Sequence, residues 1–509
     1  MKKFILNGKN LNVYNSVSIV NGNIPITVSS SAKAKVVKSR RLVEKWIERE
    51  EIVYGINTGF GEFKDVVISK EQTETLQRNL ILSHSSGIGE IIPDNVVRLM
   101  MLFRINSLIH GHSGVRLELI NFLVSFFNAG LIPQIPQQGS VGCSGDLAPL
   151  AHLASTFLGE GKIKFKGKVL NSSDALKRAG LKPFVLNSKE GLALINGTQM
   201  MCGFLCVSLH DAVYLSKIAD IAGAVTVEAT RSTNTAYDSR IQKIRPHKGQ
   251  IDTAVNLRSL LKQSEVIKSH ADCGKVQDAY SIRCIPQVHG AVKDAINYCT
   301  NVLNVEINSV TDNPLIFVDS KEHLEGGNFH GEPLALASDF LKIAVAELGS
   351  ISERRTARLV DGSLSGLPRF LVKDGGLNSG FMIAQYTAAS LVSENKVLSH
   401  PASVDSIPTS ANQEDHNSMG SIASRKCYEV VNNVKNILAI EFLCGTQALE
   451  FLKPLKAGKG VEKAKELMRK KVKYLKKDDL MSDLIEKTKE ILYYSDFVNK
   501  VEEVTGKLR

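Results

Sequence analysis

Apolar residues recur three and four positions apart through most of this chain, the spacing that lays one hydrophobic stripe along an α-helix. Residues 31–51 and 94–109 read as amphipathic helices. Four longer stretches follow at 200–227, 285–305, 333–360 and 414–451. Each exceeds an average globular helix of about 10–14 residues, and their recurrence predicts an extended bundle. Residues 461–508 predict a weaker helical hairpin, and strand-like pieces are confined to 4–20 and 163–169. The fold class that follows is mainly α, a long-helix bundle with a smaller mixed α/β N-terminal part. A division at 205/206 separates residues 1–205 from 206–509 within what reads as one continuous fold, without internal repeats or low-complexity tracts.

Composition narrows the class of molecule. The 509 residues are 43% hydrophobic and 23% charged, the balance of an ordinary globular protein. The most apolar region, 200–229, is interrupted by His210, Asp211, Lys217 and Asp220, which argues against a membrane span. The apolar run after Lys2 and Lys3 is too short for a secretory signal, so the cytoplasm is the expected location. Eight cysteines stand at 143, 202, 206, 273, 284, 299, 427 and 444 without a Cys-x-x-Cys pair, so reduced thiols and no metal are expected. His110 and His112 flank Gly111 but have no acidic companions, and core hydrogen bonding suffices for them.

The formal charge of +11 raises a nucleic-acid reading. Its densest basic run, 468–477, carries an apolar stripe at Met468, Val472 and Leu475 and has acidic residues on both sides. That is the pattern of a solvated helix face. Neither a nucleic acid nor a membrane is expected as a partner, and the surplus charge would draw anionic substrates inward.

Several loops between the helices mix turn formers with chemically capable side chains, as rigidly held site loops do. They include Asn57-Thr58-Gly59-Phe60-Gly61, Leu324-Glu325-Gly326-Gly327-Asn328-Phe329-His330 and Pro408-Thr409-Ser410-Ala411-Asn412-Gln413. Most informative is Gly139-Ser140-Val141-Gly142-Cys143-Ser144-Gly145-Asp146-Leu147. Gly145 has no side chain, so its amide nitrogen can reach the carbonyl carbon two residues back. Attack on the Cys143 carbonyl closes a five-membered ring. Loss of one water from the ring, and of the Ser144 hydroxyl as a second, leaves 4-methylidene-imidazol-5-one. No ordinary side chain is an electrophile of that kind.

With its continuation Ala148-Pro149-Leu150-Ala151-His152-Leu153-Ala154, this segment resembles the prosthetic-group signature of the aromatic amino acid ammonia-lyases. Cys143 stands where alanine is usual, but only its backbone carbonyl enters the ring. Matching segments fall in family order from Tyr54 to Met419. The resemblance implies a mostly helical fold, a homotetramer whose active sites are shared between subunits, a ring formed autocatalytically from Cys143, Ser144 and Gly145, and no external cofactor. The reaction it implies is removal of ammonia from an aromatic α-amino acid.

That elimination needs an electrophile, a base for the β-proton and a cation for the carboxylate. The resemblance assigns the base to Tyr54, in Val53-Tyr54-Gly55-Ile56-Asn57, and the cation to Arg283. Arg283 closes the segment Val276-Gln277-Asp278-Ala279-Tyr280-Ser281-Ile282-Arg283, where Gln277 and Tyr280 match pocket residues and Ala279 replaces a usual proline. Asn196 matches an asparagine beside the prosthetic group, serving the substrate carboxylate or the ring oxygen. Phe329 matches an aromatic residue that packs against substrate and ring. His84 and Glu414 are polar groups in an otherwise aromatic pocket, and relatives specific for phenylalanine carry apolar and glutamine residues there. Imidazole and carboxylate suit a substrate ring with its own donor and acceptor, which favours L-histidine, giving urocanate, over phenylalanine or tyrosine.

Overall fold

The four long apolar stretches fold as the helices Gln199–Ala229, Ile285–Glu306, Glu332–Val360 and Gly420–Leu449, of 31, 22, 29 and 30 residues. The computed structural model describes residues 3–53, 55–56, 58, 68–69, 72–272 and 274–509. Among these residues helices dominate and the sheets are small, as the apolar periodicity predicts. Gln199–Ala229 is long and apolar enough to cross a membrane, yet 72% of its most apolar window is buried inside the protein. Its apolarity serves the core.

The chain divides into two compact units, the first taking residues 1–210, 299–339 and 401–427, the second 211–298, 340–400 and 428–509. The two later segments of the first unit are the connections that carry Phe329 and Glu414.

In the first unit, Phe4–Leu6 pairs in parallel with Ile26–Val28. The strand-like stretch expected over 4–20 stops at Leu6, and Val13–Asn21 is helical. A capping box explains the switch: Asn12 Oδ1 accepts from the Asn15 amide at 2.9 Å, and Asn15 Oδ1 accepts from the Asn12 amide at 2.8 Å. Residues 163–169 are likewise a hairpin rather than one strand. Lys162–Phe165 returns as Lys168–Asn171 through Lys166 and Gly167, both left-handed with φ of 48° and 80°. The hairpin Leu315–Phe317 with Glu322–Leu324 precedes the turn bearing Phe329. His110 and His112 spend ring nitrogens on the carbonyls of Gly8 and Ile316, at 2.7 and 2.8 Å, as core histidines do.

The second unit buries a chain of charged groups. Asp220 accepts from His289 Nδ1 at 2.8 Å and Lys293 Nζ at 2.7 Å. Arg355 grips Glu441 with both ends of its guanidinium, at 2.5 and 2.8 Å. Burial alone would push the Asp220 carboxyl up, but Lys293 and His289 hold it below the usual range. The expected C-terminal hairpin is instead three helices, Lys459–Arg469, Met481–Tyr493 and Phe497–Thr505. The first ends inside the basic run, whose crowded like charges oppose further helix. Met468, Val472 and Leu475 are buried there, while Lys470 pairs with Glu466 at 3.0 Å, as a solvated face requires.

Candidate active site

Between the strand Pro136–Gln138 and the helix Leu147–Phe157 the chain makes a tight loop through Gly139, Gly142 and Gly145, at φ of 130°, 75° and 75°. Each takes a backbone conformation that suits glycine. Three bonds clamp the loop from the segment 418–421. Met419 N donates to Val141 O at 2.8 Å, Ser418 Oγ to Gly142 O at 2.9 Å, and Ser421 Oγ to Ser140 O at 2.5 Å. Gly145 is pressed against Gly197, whose carbonyl a Cβ at position 145 would strike. The Asp146 amide donates to that carbonyl at 2.7 Å.

Asp146 anchors the loop from the other side. Its Oδ2 accepts from the amides of Met200 and Met201, at 2.8 and 3.0 Å, at the start of the helix Gln199–Ala229. Burial pushes its carboxyl up to about 7, against those two bonds. Arg104, wholly buried, spreads one nitrogen over Asn196 O, Gln199 Oε1 and Thr311 O, each at 3.0 Å. Burial lowers its guanidinium to about 10. Asn196, just past the helix Glu190–Ile195, is fixed by that contact and turns its Nδ2 onto Ser144 O at 3.1 Å.

Glu414 meets the same loop. Its Oε1 accepts from Ser144 Oγ at 2.9 Å, and its Oε2 from Cys143 Sγ at 3.0 Å and Thr409 Oγ1 at 2.8 Å. The predicted helix over 414–451 begins only at Gly420, which leaves Glu414 on a bridge with Thr409. Three consecutive left-handed residues, Ser410, Ala411 and Asn412, close that turn at φ of 51°, 51° and 67°. Such strain is typical of functional loops. His84 ends the helix Thr73–His84, where burial lowers its imidazole below the usual range, and the Leu80 carbonyl and then the charge of Glu414 partly restore it. Phe329 is half-buried on the turn before Glu332–Val360.

The first unit thus brings together Cys143, Ser144, Gly145, Asn196, His84 and Glu414, and it also carries Phe329. Gln277, Tyr280 and Arg283 belong to the second unit, where Tyr280 is 72% exposed and the Arg283 guanidinium lies 5.1 Å from its ring centre. Tyr54 lies outside the described residues. Sequence reading passed over Asp146, Arg104 and Thr409 as functional residues. Asp146 and Thr409 lie inside the loops 139–147 and 408–413, whereas nothing in the helical pattern around Arg104 marks it out.

The rings of His330 and His416 stack 5.9 Å apart, and their nitrogens lie within 4.8 Å of a Glu332 oxygen. Both nitrogens of His330 already face backbone partners, Glu332 N and His416 O, each at 3.3 Å.

The loop is thus glycine-rich and pressed from three sides, with a donor on Ser144 O and a carboxylate on Ser144 Oγ. The aromatic amino acid lyase family matches residues 11–470, and the chain belongs to that family. A histidine ammonia-lyase from Caldanaerobacter subterraneus subsp. tengcongensis is 54% identical over 478 residues, 94% of each chain. The crystal structure of histidine ammonia-lyase from Trypanosoma cruzi superposes with a TM-score of 0.92 at 43% identity, covering 99% of this chain and 96% of that one. A tyrosine aminomutase from Streptomyces globisporus reaches 0.94 at 36% identity over the whole of both chains. The fold is therefore shared by enzymes of different outcome, and the pocket must decide among them.

Proposed function

We propose that this chain removes ammonia from L-histidine to give urocanate, using a methylidene imidazolone formed autocatalytically from Cys143, Ser144 and Gly145. The observation that carries this reading is the Glu414 carboxylate set on Ser144 Oγ at 2.9 Å, with the His84 imidazole near enough to feel its charge, two polar groups that a phenyl ring would leave without a partner.

The residues fit the group. Gly145 has the backbone freedom that ring closure needs. Ser144 O is the carbonyl that such a ring keeps, and Asn196 already donates to it. The ring supplies an electrophile that activates the substrate toward loss of its amine. Asn196 polarises it, Glu414 and His84 hold the substrate imidazole by its ring nitrogens, and Phe329 covers the pocket. Arg283 pairs with the substrate carboxylate in a fork, Tyr280 and Gln277 complete the pocket, and Tyr54 takes the β-proton.

A homotetramer with shared sites belongs to the same proposal. Tyr298, Phe340, Ile343, Ile383 and Tyr386 are exposed apolar side chains on the second unit, the kind of surface that self-association covers. Small-molecule substrate and sibling subunits are the only partners assigned.

The test is direct. Purified protein incubated with L-histidine should generate the ultraviolet absorbance of urocanate, and its intact mass should lie two waters below the encoded chain. L-tyrosine and L-phenylalanine should be turned over poorly, with no β-amino acid formed. Preference for tyrosine with a β-amino product would assign the chain to the aminomutases.

A further inference from the structure

Three side-chain donors converge on the Glu414 carboxylate, and they do not share one fate. Ser144 Oγ holds Oε1 at 2.9 Å. Cys143 Sγ and Thr409 Oγ1 hold Oε2, at 3.0 and 2.8 Å. Ring closure loses the Cys143 carbonyl oxygen as one water, and elimination of the Ser144 hydroxyl with the Ser144 Cα hydrogen gives the second. The side chain of residue 143 survives, because only its carbonyl carbon joins the ring. Thr409 takes no part. Oε1 therefore loses its donor on maturation while Oε2 keeps both of its own.

Resting on the function proposed above, we propose that Cys143 and Thr409 are positioning residues that clamp Glu414 Oε2, so that Oε1, vacated by Ser144, is presented to the substrate imidazole N–H. The usual alanine at position 143 offers no donor, so the two-point clamp is a property of this chain.

Three features make the clamp effective. A thiol donates only while protonated, and burial, reinforced by the neighbouring carboxylate, pushes Cys143 up to about 12. It remains a donor across the working range, and it is a poor nucleophile toward the adjacent ring for the same reason. Thr409 is tied to Glu414 by two backbone bonds, Thr409 N to Glu414 O at 2.9 Å and Glu414 N to Thr409 O at 3.3 Å, so its hydroxyl is placed beforehand. The left-handed run between them keeps the turn closed. With Oε2 pinned, the carboxylate stops rotating about its terminal bond. Orientation of this kind acts on the reacting geometry more than on gross binding.

The experiment compares Cys143→Ala, Cys143→Ser, Thr409→Val, Thr409→Ser and the C143A/T409V double variant. Each is followed by intact mass, by calorimetric affinity for urocanate, and by kcat and KM on L-histidine. All should mature, losing two waters. The double variant should bind urocanate about tenfold more weakly and lose at least about tenfold in kcat, the scale of a lost charge-assisted hydrogen bond. The two serine variants retain a hydroxyl donor and should recover most of both quantities. A matured double variant that binds and turns over like the parent overturns the clamp. So do serine variants as impaired as alanine and valine, because packing rather than donation would then be at work. If the double variant does not fold, Thr409→Val against Thr409→Ser decides by the same comparison. Parent protein that matures and turns over L-histidine upholds the underlying reading whichever way the clamp falls.

Discussion

Asn196 Nδ2 donates to the Ser144 carbonyl oxygen at 3.1 Å, and the Asn196 carbonyl is itself held by Arg104 at 3.0 Å. The Ser144 oxygen is the one that the methylidene imidazolone retains, so the amide is aimed at the electrophile before the electrophile exists. Asn196→Ala should leave the mass two waters below the encoded chain and lower kcat by about 10²–10³, the usual loss for one preorganised donor at a site of developing charge. Intact mass and steady-state kinetics on the same preparation check both halves. Full activity in the matured variant would show that the bond is only structural.

Ser144 and Glu414 belong to the first unit of the chain and Arg283 to the second. If the sites are shared between subunits, two inactive proteins can repair each other. Ser144→Ala lacks the electrophile and Arg283→Ala lacks the carboxylate anchor. Unfolded together and refolded, they should form mixed assemblies in which some sites carry both intact residues. A recovered activity of about a tenth to a quarter of the parent is expected from random assortment in a symmetric oligomer. No recovery in mixed oligomers, verified by mass, would place both residues in the same subunit's contribution.

The helical fold is legible in the sequence. The loop 139–147 stands out because its glycines permit the tight turns that a backbone reaction would need, and His84 and Glu414 are marked by resemblance to the family's pocket positions. Helices longer than average were readable because apolar periodicity is a local signal. What escaped depends on distant partners. The helix Val13–Asn21 owes its start to a capping box of two asparagines, which is weaker than the apolar alternation that surrounds it. Glu414 was expected at the head of a helix, and its bridge with Thr409 holds it in the preceding loop. Arg104 lies in a helix of ordinary appearance, and its work is visible only once Asn196, Gln199 and Thr311 are gathered around it.

The strained turn before Glu414 gives a third expectation. Ala411 sits at φ 51°, in the left-handed region where a side chain costs about 1–2 kcal/mol. Ala411→Gly relieves that strain, while greater freedom in the unfolded chain offsets about 0.4–1 kcal/mol. The thermal midpoint should stay level or rise slightly. The loosened turn should hold the carboxylate less well, so kcat on L-histidine should fall severalfold. A clear loss of stability would mean that the turn stores no strain at this residue.

Acid–base linkage supplies the last. Glu228, on Gln199–Ala229, is buried and accepts from Ser264 Oγ at 2.7 Å and Gly458 N at 2.8 Å. Burial outweighs those bonds and pushes its carboxyl up to about 7. In the unfolded chain a glutamate titrates near 4.3, roughly the ordinary peptide value. A raised folded-state value means that the folded chain favours the protonated form, so this contribution is complete below about pH 4 and is lost as pH rises through 7. Between those limits the slope approaches about 1.4 kcal/mol per pH unit. Glu228→Gln is neutral throughout, keeps its amide oxygen for Gly458 N, turns its NH2 toward the Ser264 hydroxyl oxygen, and removes that slope. Asp146, also raised by burial, pushes stability the same way, so the parent and the variant must be compared at each pH rather than singly. Scanning calorimetry at pH 5, 6 and 7 should show the variant gaining on the parent at each step, by about 2–3 kcal/mol in all at that slope. Parallel curves would mean that Glu228 is already ionised within the folded protein.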